Sequence, residues 1–302
     1  MRITDNMVTN SLVTQIQQLT SQQSQLQSEV ATGLAVTQPS DNPAVFGQVV
    51  ELQSQSQQQA QFSNNAAQAS DLANASYSGL QSMQSIYDRA SQLGALGGNG
   101  AVGASSQQAY GDELDQLIQQ SVQVANSQLN GDYLYAGTAV STPPFTTTTD
   151  STGQITAVAY VGNSAQADIP LSSTASVSPA TSGTTNAGFA TWINSMISLR
   201  DALNSGDSTG IAAANTSLNA SEDTITGAVA ENGAVQARIQ SVQTQQQSET
   251  TEINTLIGND TNADLPTTMV KLNQAQLAYQ AALQSSASIM HLSILNYLTL
   301  GE

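Results

Sequence analysis

The sequence predicts a mainly α-helical protein with a small β-rich insertion, arranged as an elongated, discontinuous helical bundle with amphipathic coiled-coil arms at both termini. Two observations support this fold class. Apolar residues recur at four-three spacing over long stretches of both halves of the chain, which is the pattern of packed helices. Residues 140–188 lack that spacing and are rich in Thr, Ser and Gly, so we expect strands and loops there.

Composition and charge limit the possible partners. The 302 residues include 5 basic and 22 acidic side chains, a formal net charge of −17. Because phosphate backbones are bound by Lys and Arg, we expect no nucleic-acid partner. No stretch approaches the roughly 18 apolar residues of a membrane span, so we expect no membrane partner either. The chain also has few bulky side chains with which to fill one compact core, which favours an elongated molecule.

The N-terminal arm is predicted from apolar residues at four-three spacing that stop before Gly33 and are interrupted only at Gln23. These residues are Leu12, Ile16, Leu19, Leu26 and Val30. Pro43 fits the first turn of a second helix, with either Asp41 or Asn42 as its cap. The apolar stripe of this second helix contains Phe62, Ala66, Ala69, Ala73, Leu80, Met83 and Tyr87.

A third helical segment is predicted to extend to Asn130. Its apolar stripe consists of Tyr110, Leu114, Leu117 and Val124. The next segment, residues 211–256, has the strongest heptad pattern and predicts one continuous seam of roughly 70 Å. Asn232 and Gln246 interrupt its apolar positions. They either fix the register of the seam at a cost in stability or mark local breaks beside Gly233.

The C-terminal arm is predicted to begin at Asp264 and Pro266. Seven residues share one apolar face of this helix: Leu265, Met269, Leu272, Tyr279, Leu283, Met290 and Tyr297. We expect the stripes of both arms to lack a partner within the monomer, because each arm lies outside the bundle. Each arm would then stay mobile until neighbouring subunits cover its stripe.

The insertion is predicted to contain two short strands, residues 155–161 and 167–171, joined through Gly162 and Asn163, with loops in the flanking Thr-, Ser- and Gly-rich runs. Three aromatic residues lie where the chain leaves the bundle: Tyr133, Tyr135 and Phe145. We expect them to pack the base of the insertion against the bundle. The predicted domains are residues 1–40 with 262–302 (arms), 41–139 with 189–261 (bundle) and 140–188 (insertion).

No catalytic, cofactor-binding or metal-binding residues are predicted. The sequence GNGAVG at residues 98–103 matches a dinucleotide-binding fingerprint, but a helical segment precedes it where a strand is required. Residues 260–264 imitate the start of a calcium loop, but Leu265 replaces its Gly and Lys271 its bidentate Glu. His291 is the only histidine and Cys is absent, so no metal site or nucleophile–base pair can be assembled around it.

Several motifs resemble the bacterial flagellin family, and in particular its members at the junction between hook and filament. The arrangement of two terminal arms, a discontinuous bundle and an inserted domain is similar to that family. The motifs are MRIT, PSDNP, NGDYLYAGTAVSTPPF and NADLPTTMVKLNQAQLAYQAALQSSASIMHLSILNYL. Ala35 and Val36 stand where the family commonly has a basic pair, so a shared role for charge there is not expected.

The resemblance implies a structural protein, not an enzyme. It implies a ring of identical subunits that couples the hook side, through the first hook-associated protein, to the flagellin filament. It also implies an extracellular location at that junction, after export by the flagellar apparatus with a chaperone and without a cleaved signal peptide. The implied assembly residues are Leu12, Ile16, Leu19, Leu26, Leu272, Tyr279, Leu283, Met290 and Tyr297. There are two alternatives. The first is a short flagellin, and the second is a surface adhesin or an enzyme on a coiled-coil stalk.

Overall fold

The computed structural model describes the backbone of residues 5–299 and the side-chain surroundings of residue 7 and residues 10–289. This part of the chain contains seven α-helices and three antiparallel two-stranded sheets. The helices are α1 (Asp5–Thr32), α2 (Pro43–Gly97), α3 (Ala104–Ala125), α4 (Gly183–Ser205), α5 (Ser208–Ala220), α6 (Glu222–Thr261) and α7 (Leu265–Thr299). The strands are β1 (Gln128–Leu129), β2 (Asp132–Tyr133), β3 (Phe145–Thr149), β4 (Ile155–Tyr160), β5 (Ile169–Pro170) and β6 (Ser176–Val177). The predicted class, mainly α-helical with a small β-rich insertion, is confirmed.

The chain divides into two compact units. The first unit combines Met1–Gln57 with Thr250–Glu302, and the second unit is Gln58–Glu249. The boundaries therefore fall within α2 and α6. The insertion belongs to the second unit. The three-part division expected from the sequence stays a prediction.

In the first unit, α1 and α7 pack side by side. The backbone N–H of Ala35 donates to the carbonyl of Thr261 (2.6 Å), and the N–H of Ala263 donates to the carbonyl of Gly33 (2.9 Å). These bonds join the segment after α1 to the connection between α6 and α7. Because α7 begins directly after this connection, α1 and α7 run antiparallel. The expectation that neither arm has a partner within the chain is wrong for both arms, because two helices with four-three patterns are placed where they can cover each other.

The turn before α2 distinguishes between the two candidate caps. The Asn42 side-chain oxygen accepts a hydrogen bond from the N–H of Val45 (3.3 Å), so Asn42 caps the helix. The Asp41 carboxylate instead accepts from the N–H groups of Thr37 (3.0 Å) and Gln38 (3.1 Å). These bonds, that from Thr37 first, lower the pKa of Asp41 because they favour the charged carboxylate. Asp41 therefore stabilises the turn and Asn42 begins the helix.

The second unit has a core built around α4. Phe189, Trp192 and Met196 are fully buried there, and Leu80 of α2 and Leu114 of α3 belong to the same cluster. A smaller cluster joins α2, α6 and the insertion, and contains Ala66, Ala69, Ala73, Leu171, Val177 and Ile239. The apolar stripe predicted for α2 is thus buried, apart from Phe62, which is half-buried.

Helix α3 ends at Ala125 and not at Asn130 as expected. Asn130 (φ 55°) and Gly131 (φ 96°) form the two-residue turn of the β1–β2 hairpin. An Asn-Gly pair favours this turn because both positions need positive φ. The buried stripe of α3 is also displaced from the prediction. It contains Leu114, Ile118, Ser121 and Ala125, whereas Tyr110, Leu117 and Val124 are half-buried.

The seam predicted for residues 211–256 is not one continuous helix. Ser221 separates α5 from α6. The heptad phase survives the break, since Ile211, Leu218, Ile225 and Ile239 are all buried. This is why the interruption is invisible in the apolar pattern. Leu256, at the far end, is exposed.

The polar seam positions lie inside an unbroken helix, so the alternative of local breaks is wrong. Asn232 is buried and its side-chain oxygen accepts a hydrogen bond from Gln236 (2.8 Å). Gln246 is also buried, and its amide donates to the carbonyl of Leu171 (2.7 Å). Gln246 therefore bonds the insertion to α6. A role of the two residues in register stays a prediction.

The strand pairing of the insertion differs from the expectation. β4 pairs with β3, in a Thr-rich run that the sequence assigned to a loop, and β5 pairs with β6. The β3–β4 turn is stabilised by Asp150, whose carboxylate accepts from the N–H groups of Thr152 (2.8 Å) and Gln154 (3.0 Å), and by Gly153 at φ 86°. The predicted connection through Gly162 is irregular. Thr is β-branched and suits a strand, so the Thr-rich run can pair with β4. The tight turn around Asp150 brings these two strands together.

Arg200 is the central polar residue beneath this hairpin. Its side chain is 1% exposed and forms salt bridges with Asp115 (2.9 Å) and Asp201 (2.8 Å). The same guanidinium donates to the carbonyl of Ile155 in β4 (2.8 Å). One buried side chain thus connects α3, α4 and the insertion.

We predict that Arg200→Met lowers the free energy of unfolding by about 3 kcal/mol, because Met fills the site but removes four charge-assisted hydrogen bonds. Urea unfolding followed by circular dichroism measures the change. Arg238→Met is the matched control. Arg238 is exposed on α6, so its replacement should change stability by less than about 0.5 kcal/mol. Equal stability of the two variants would contradict this role of Arg200.

Candidate assembly surface and insertion base

Helix α7 has apolar residues on more sides than one neighbouring helix can cover. Leu272, Ala275 and Tyr279 are buried or half-buried on the side that packs against α1. Val270 and Leu277, on the opposite side, are 56% and 66% exposed. A helix that is apolar all round is normally surrounded by other elements. In the first unit by itself, one side of α7 stays uncovered.

Most of the exposed large apolar side chains belong to the first unit. In the part of the chain with described side chains they are Met7, Val13, Val50, Leu256, Leu265, Met269, Val270, Leu277, Leu283 and Ile289. Only Leu96 and Val161 of the second unit are comparably exposed there. Exposed apolar side chains mark an interaction site where they form a contiguous patch, and Val270 and Leu277 share one side of α7.

The structure separates the expected assembly residues into groups. On α1, Leu26 is buried and Leu12, Ile16 and Leu19 are half-buried on the side that faces α7. On α7, Leu283 is exposed, whereas Leu272 and Tyr279 face α1. The side chains of Met290 and Tyr297 lie outside the described residues. An assembly role for any of them stays a prediction.

The sequence reasoning missed Val270 and Leu277. Their spacing of seven residues places them on one line of α7, and this spacing was visible in the sequence. The stripe through Leu272 and Tyr279 is longer and dominates the apolar pattern of this helix.

A groove of about 630 Å³ lies on α1, lined by residues of α1 and of the following turn. Its α1 residues include Gln17, Ser21, Ser24 and Ser28, which share one side of the helix. Ser21, Ser24 and Ser28 lie about half a turn from Leu12, Leu19 and Leu26 at 100° per residue, but Ile16 of the stripe that packs against α7 also lines the groove. Glu29 also lines the groove.

Acidic side chains predominate in the part of the first unit that the structure describes. Within residues 5–57 and 250–299, Lys271 is the only Lys or Arg, and it is exposed beside Val270 on α7. The acidic residues in the same ranges are Asp5, Glu29, Asp41, Glu51, Glu252, Asp260 and Asp264.

The insertion base contains Tyr135 at its centre. Tyr135 is fully buried, its hydroxyl donates to the carbonyl of Ser76 in α2 (2.9 Å), and its ring meets Phe189 of α4 edge-on at 5.9 Å. A side chain at Gly79 would collide with this hydroxyl. Burial raises the pKa of Tyr135. Asn186 of α4 donates to the Tyr135 carbonyl (2.9 Å).

The two other predicted base residues differ in their surroundings. Phe145 is buried against Tyr160, with ring centres 5.4 Å apart. The Asn126 side chain accepts from the Phe145 N–H (3.0 Å) and donates to its carbonyl (2.9 Å). Tyr133 is half-buried and lines an open groove of about 700 Å³. Tyr135 and Phe145 are therefore buried at this place and Tyr133 lies at its edge, and a role of the three residues as a wedge stays a prediction.

The residues of the second unit with shifted pKa values lie at separate places, and each shift is explained by burial or by a neighbouring side chain. Arg89, which bonds Glu113 at 2.5 Å, lowers the pKa of that carboxyl group. Burial, with a hydrogen bond to Glu222, raises the pKa of Tyr87 to about 12.

No cluster of His, Asp and Glu that could hold a metal ion is found among the described residues. No helix in the described part of the chain is long and apolar enough to cross a lipid bilayer.

Comparison with known proteins gives one match to a family and several to solved structures. Residues 3–140 match the bacterial flagellin N-terminal helical region, so the resemblance to this family is confirmed for that part of the chain. No curated protein matches the chain in a sequence search.

Three solved structures share the fold. A protein from Vibrio parahaemolyticus named as a flagellar hook-associated protein is 16% identical and covers 74% of this chain and 100% of its own, with a TM-score of 0.66. FlgL from Bacillus cereus is 19% identical over 68% and 98% of the two chains, with a TM-score of 0.58. Flagellar hook-associated protein 3 from Legionella pneumophila is 14% identical over 75% and 99%, with a TM-score of 0.51.

We predict that Tyr135→Ala destabilises the protein by about 3 to 5 kcal/mol and speeds hydrogen exchange in the insertion, because it empties a fully buried aromatic site. Tyr133→Ala, at the half-buried edge, is the matched control and should cost about 1 kcal/mol. Hydrogen exchange with mass spectrometry on the monomer locates the change. If Tyr135→Ala exchanged like the wild type throughout residues 140–188, the wedge would be excluded.

Proposed function

We propose that this protein is a structural component of the bacterial flagellum, a hook-associated protein of the hook-filament junction. The observation that carries the proposal is the match of residues 3–140 to the flagellin N-terminal helical region. The likeness in fold to proteins named as hook-associated supports the junction in particular. In this role the protein has no catalytic activity and needs no cofactor.

The uncovered side of α7 supplies a physical mechanism for assembly. Subunits form a ring in which neighbouring copies cover Val270 and Leu277. Fully burying an apolar side chain of this size contributes about 1.5 to 3 kcal/mol. Because these side chains are already about half covered in the subunit, each contributes about 1 kcal/mol on assembly. Many such contacts, repeated around the ring, hold it together.

The proposed partners follow from this position. The ring binds the first hook-associated protein on the hook side and flagellin on the filament side. The subunit reaches this extracellular place through the flagellar export apparatus, with a chaperone and without a cleaved signal peptide. The absence of Cys suits such a route, because no disulfide could cross-link the chain before export.

A short flagellin that builds the filament itself is the second candidate, and it is favoured by the match to the flagellin N-terminal region alone. The adhesin alternative requires a binding head. The described insertion consists of two short hairpins held onto α4 and α6 by Asn194, Arg200 and Gln246. This arrangement supports a positioned accessory element of the bundle.

We predict that cells from which the gene is deleted keep their hooks, lack filaments and release flagellin monomers into the medium. Electron microscopy and immunoblotting of the medium measure these outcomes, and plasmid-borne wild-type protein is the control that should restore filaments. Loss of filaments without released flagellin would favour the short-flagellin alternative. Normal filaments, or loss of the hooks, would exclude a junction role.

A further inference from the structure

We propose that Asn99, in the connection between α2 and α3, is a self-modifying site that loses ammonia and becomes aspartate or isoaspartate. The group that is modified is the side-chain amide of Asn99, and the nucleophile is the backbone nitrogen of Gly100. The inference goes beyond the proposed function and is independent of it, since it depends only on the folded subunit.

The chain contains three Asn-Gly pairs at which this reaction can be compared. They are Asn99-Gly100, Asn130-Gly131 and Asn232-Gly233. In each pair the residue after Asn has no side chain that could obstruct its own backbone nitrogen. The three pairs are equivalent in sequence, so differences between them must come from the fold.

The reaction has two steps and involves no oxidation or reduction. A base from the solvent takes the proton of the Gly100 N–H, and the nitrogen attacks Cγ of Asn99. The bond from Cγ to the side-chain nitrogen breaks, and this nitrogen takes up a proton and leaves as ammonia, so that a five-membered succinimide ring remains. Water then adds to one of the two ring carbonyls and breaks its bond to the Gly100 nitrogen. Opening at Cγ gives aspartate, and opening at the main-chain carbonyl gives isoaspartate.

The Gly100 nitrogen is available for the attack. Its N–H makes no hydrogen bond to another residue in the described part of the chain, whereas the neighbouring Asn99 N–H donates to the carbonyl of Leu96 (3.2 Å). Asn99 and Gly100 are both exposed, so solvent base and water can reach them. A Cβ at Gly100 would meet nothing within 4 Å beyond its chain neighbours, so no other group crowds this nitrogen.

The Asn99 side chain folds back over the same stretch of backbone. Its carbonyl oxygen accepts a hydrogen bond from the N–H of Ala101, two residues further on (3.2 Å), which is an Asx turn. The turn holds the electrophilic carbonyl beside the backbone that carries the nucleophile, and such proximity favours an intramolecular reaction. Oδ1 gains negative charge during the attack, and the Ala101 N–H donates to that same oxygen, as a donor of an oxyanion hole does.

The other two pairs lack this combination. Gly233 lies inside α6, where its N–H takes part in the helical hydrogen bonds. Asn232 is buried, and its side-chain oxygen accepts from Gln236 (2.8 Å). Asn130 is exposed, but the β1–β2 hairpin fixes its backbone at φ 55°. Ring closure requires the backbone to rotate at the Asn residue, and both the helix and the hairpin resist this rotation.

The modification changes the connection between α2 and α3. Both products add a carboxylate to it. Isoaspartate also routes the main chain through the former side chain, which displaces the Asn99 carbonyl that accepts from the Val102 N–H (3.0 Å). Neither product returns to asparagine on its own, so the modified fraction rises with the age of the subunit.

Peptide mapping by mass spectrometry tests the site on the purified full-length protein. One sample is incubated folded in mildly alkaline buffer, and a second sample is incubated in the same buffer with enough guanidinium chloride to unfold it. The deamidated fraction is followed at Asn99, Asn130 and Asn232 in both samples. The variant Asn99→Asp supplies the elution standard that distinguishes aspartate from isoaspartate, which has the same mass.

We expect Asn99 in the folded protein to react at least about tenfold faster than Asn232, because a helix must open locally before its residues can react. The rate at Asn130 should lie between these two. In the unfolded sample the three rates should converge, since the Asx turn, the hairpin and the helix are then lost.

The variant Gly100→Ala tests the nucleophile. A methyl group fits at this position, and its φ lies outside the left-handed range. The added methyl group crowds the nitrogen, so modification of Asn99 should slow by about tenfold. Gly103→Ala is the matched control, because Gly103 lies in the same connection, also has open space around it and takes no part in the reaction. Circular dichroism checks that both variants fold.

Three outcomes would overturn the proposal, and none of them bears on the hook-filament role. One is modification of Asn99 as slow as that of Asn232 in the folded protein. Another is the same rate at Asn99 in Gly100→Ala as in Gly103→Ala, which would show that the Gly100 nitrogen is not the nucleophile. The third is faster modification of Asn130 than of Asn99, which would place the reactive site in the hairpin.

Discussion

The structure of the first unit depends on a geometric limit, which is that one helix covers only one side of another. Helix α1 covers the side of α7 that contains Leu272 and Tyr279. The backbone bonds of Ala35 to Thr261 and of Gly33 to Ala263 hold the end of α1 beside the connection that precedes α7. The opposite side of α7, with Val270 and Leu277, then has no partner in the unit. Pairing within the chain and exposure of an apolar side of α7 are thus consequences of one constraint.

The second unit follows a different rule, because polar side chains attach the insertion to the bundle. Arg200 donates to Ile155, Asn194 to Val158 and Gln246 to Leu171. Each of these bonds satisfies a backbone carbonyl beside a short strand, and two-stranded hairpins of this size are barely stable alone. The helices therefore stabilise the strands. With Tyr135 beneath them, the hairpins are held in one position on the bundle.

The sequence predicted the helices well and the strand pairing poorly. The end of α1 at Gly33, the start of α2 at Pro43 and the apolar stripe of α1 all follow from local signals, and local signals determine helices. The helix break at Ser221 leaves the heptad spacing of the apolar residues unchanged, so the apolar pattern of the sequence does not reveal the break. The β3–β4 pairing depended on the turn around Asp150, and the uncovered side of α7 depended on which helix packs against it. Both are tertiary outcomes that periodicity alone cannot predict.

The central claim is that α7 exposes an apolar side in the subunit and buries it on assembly. Methionine oxidation tests it directly, since oxidation follows exposure. Val270 lies on that side and is 56% exposed, so the variant Val270→Met places a methionine there, and Met196, which is fully buried in the core, is the internal reference. Mass spectrometry after brief peroxide treatment should show rapid oxidation at position 270 in the monomer and strong protection in isolated flagella, with Met196 protected in both. Equal oxidation at position 270 in the two states would contradict the account.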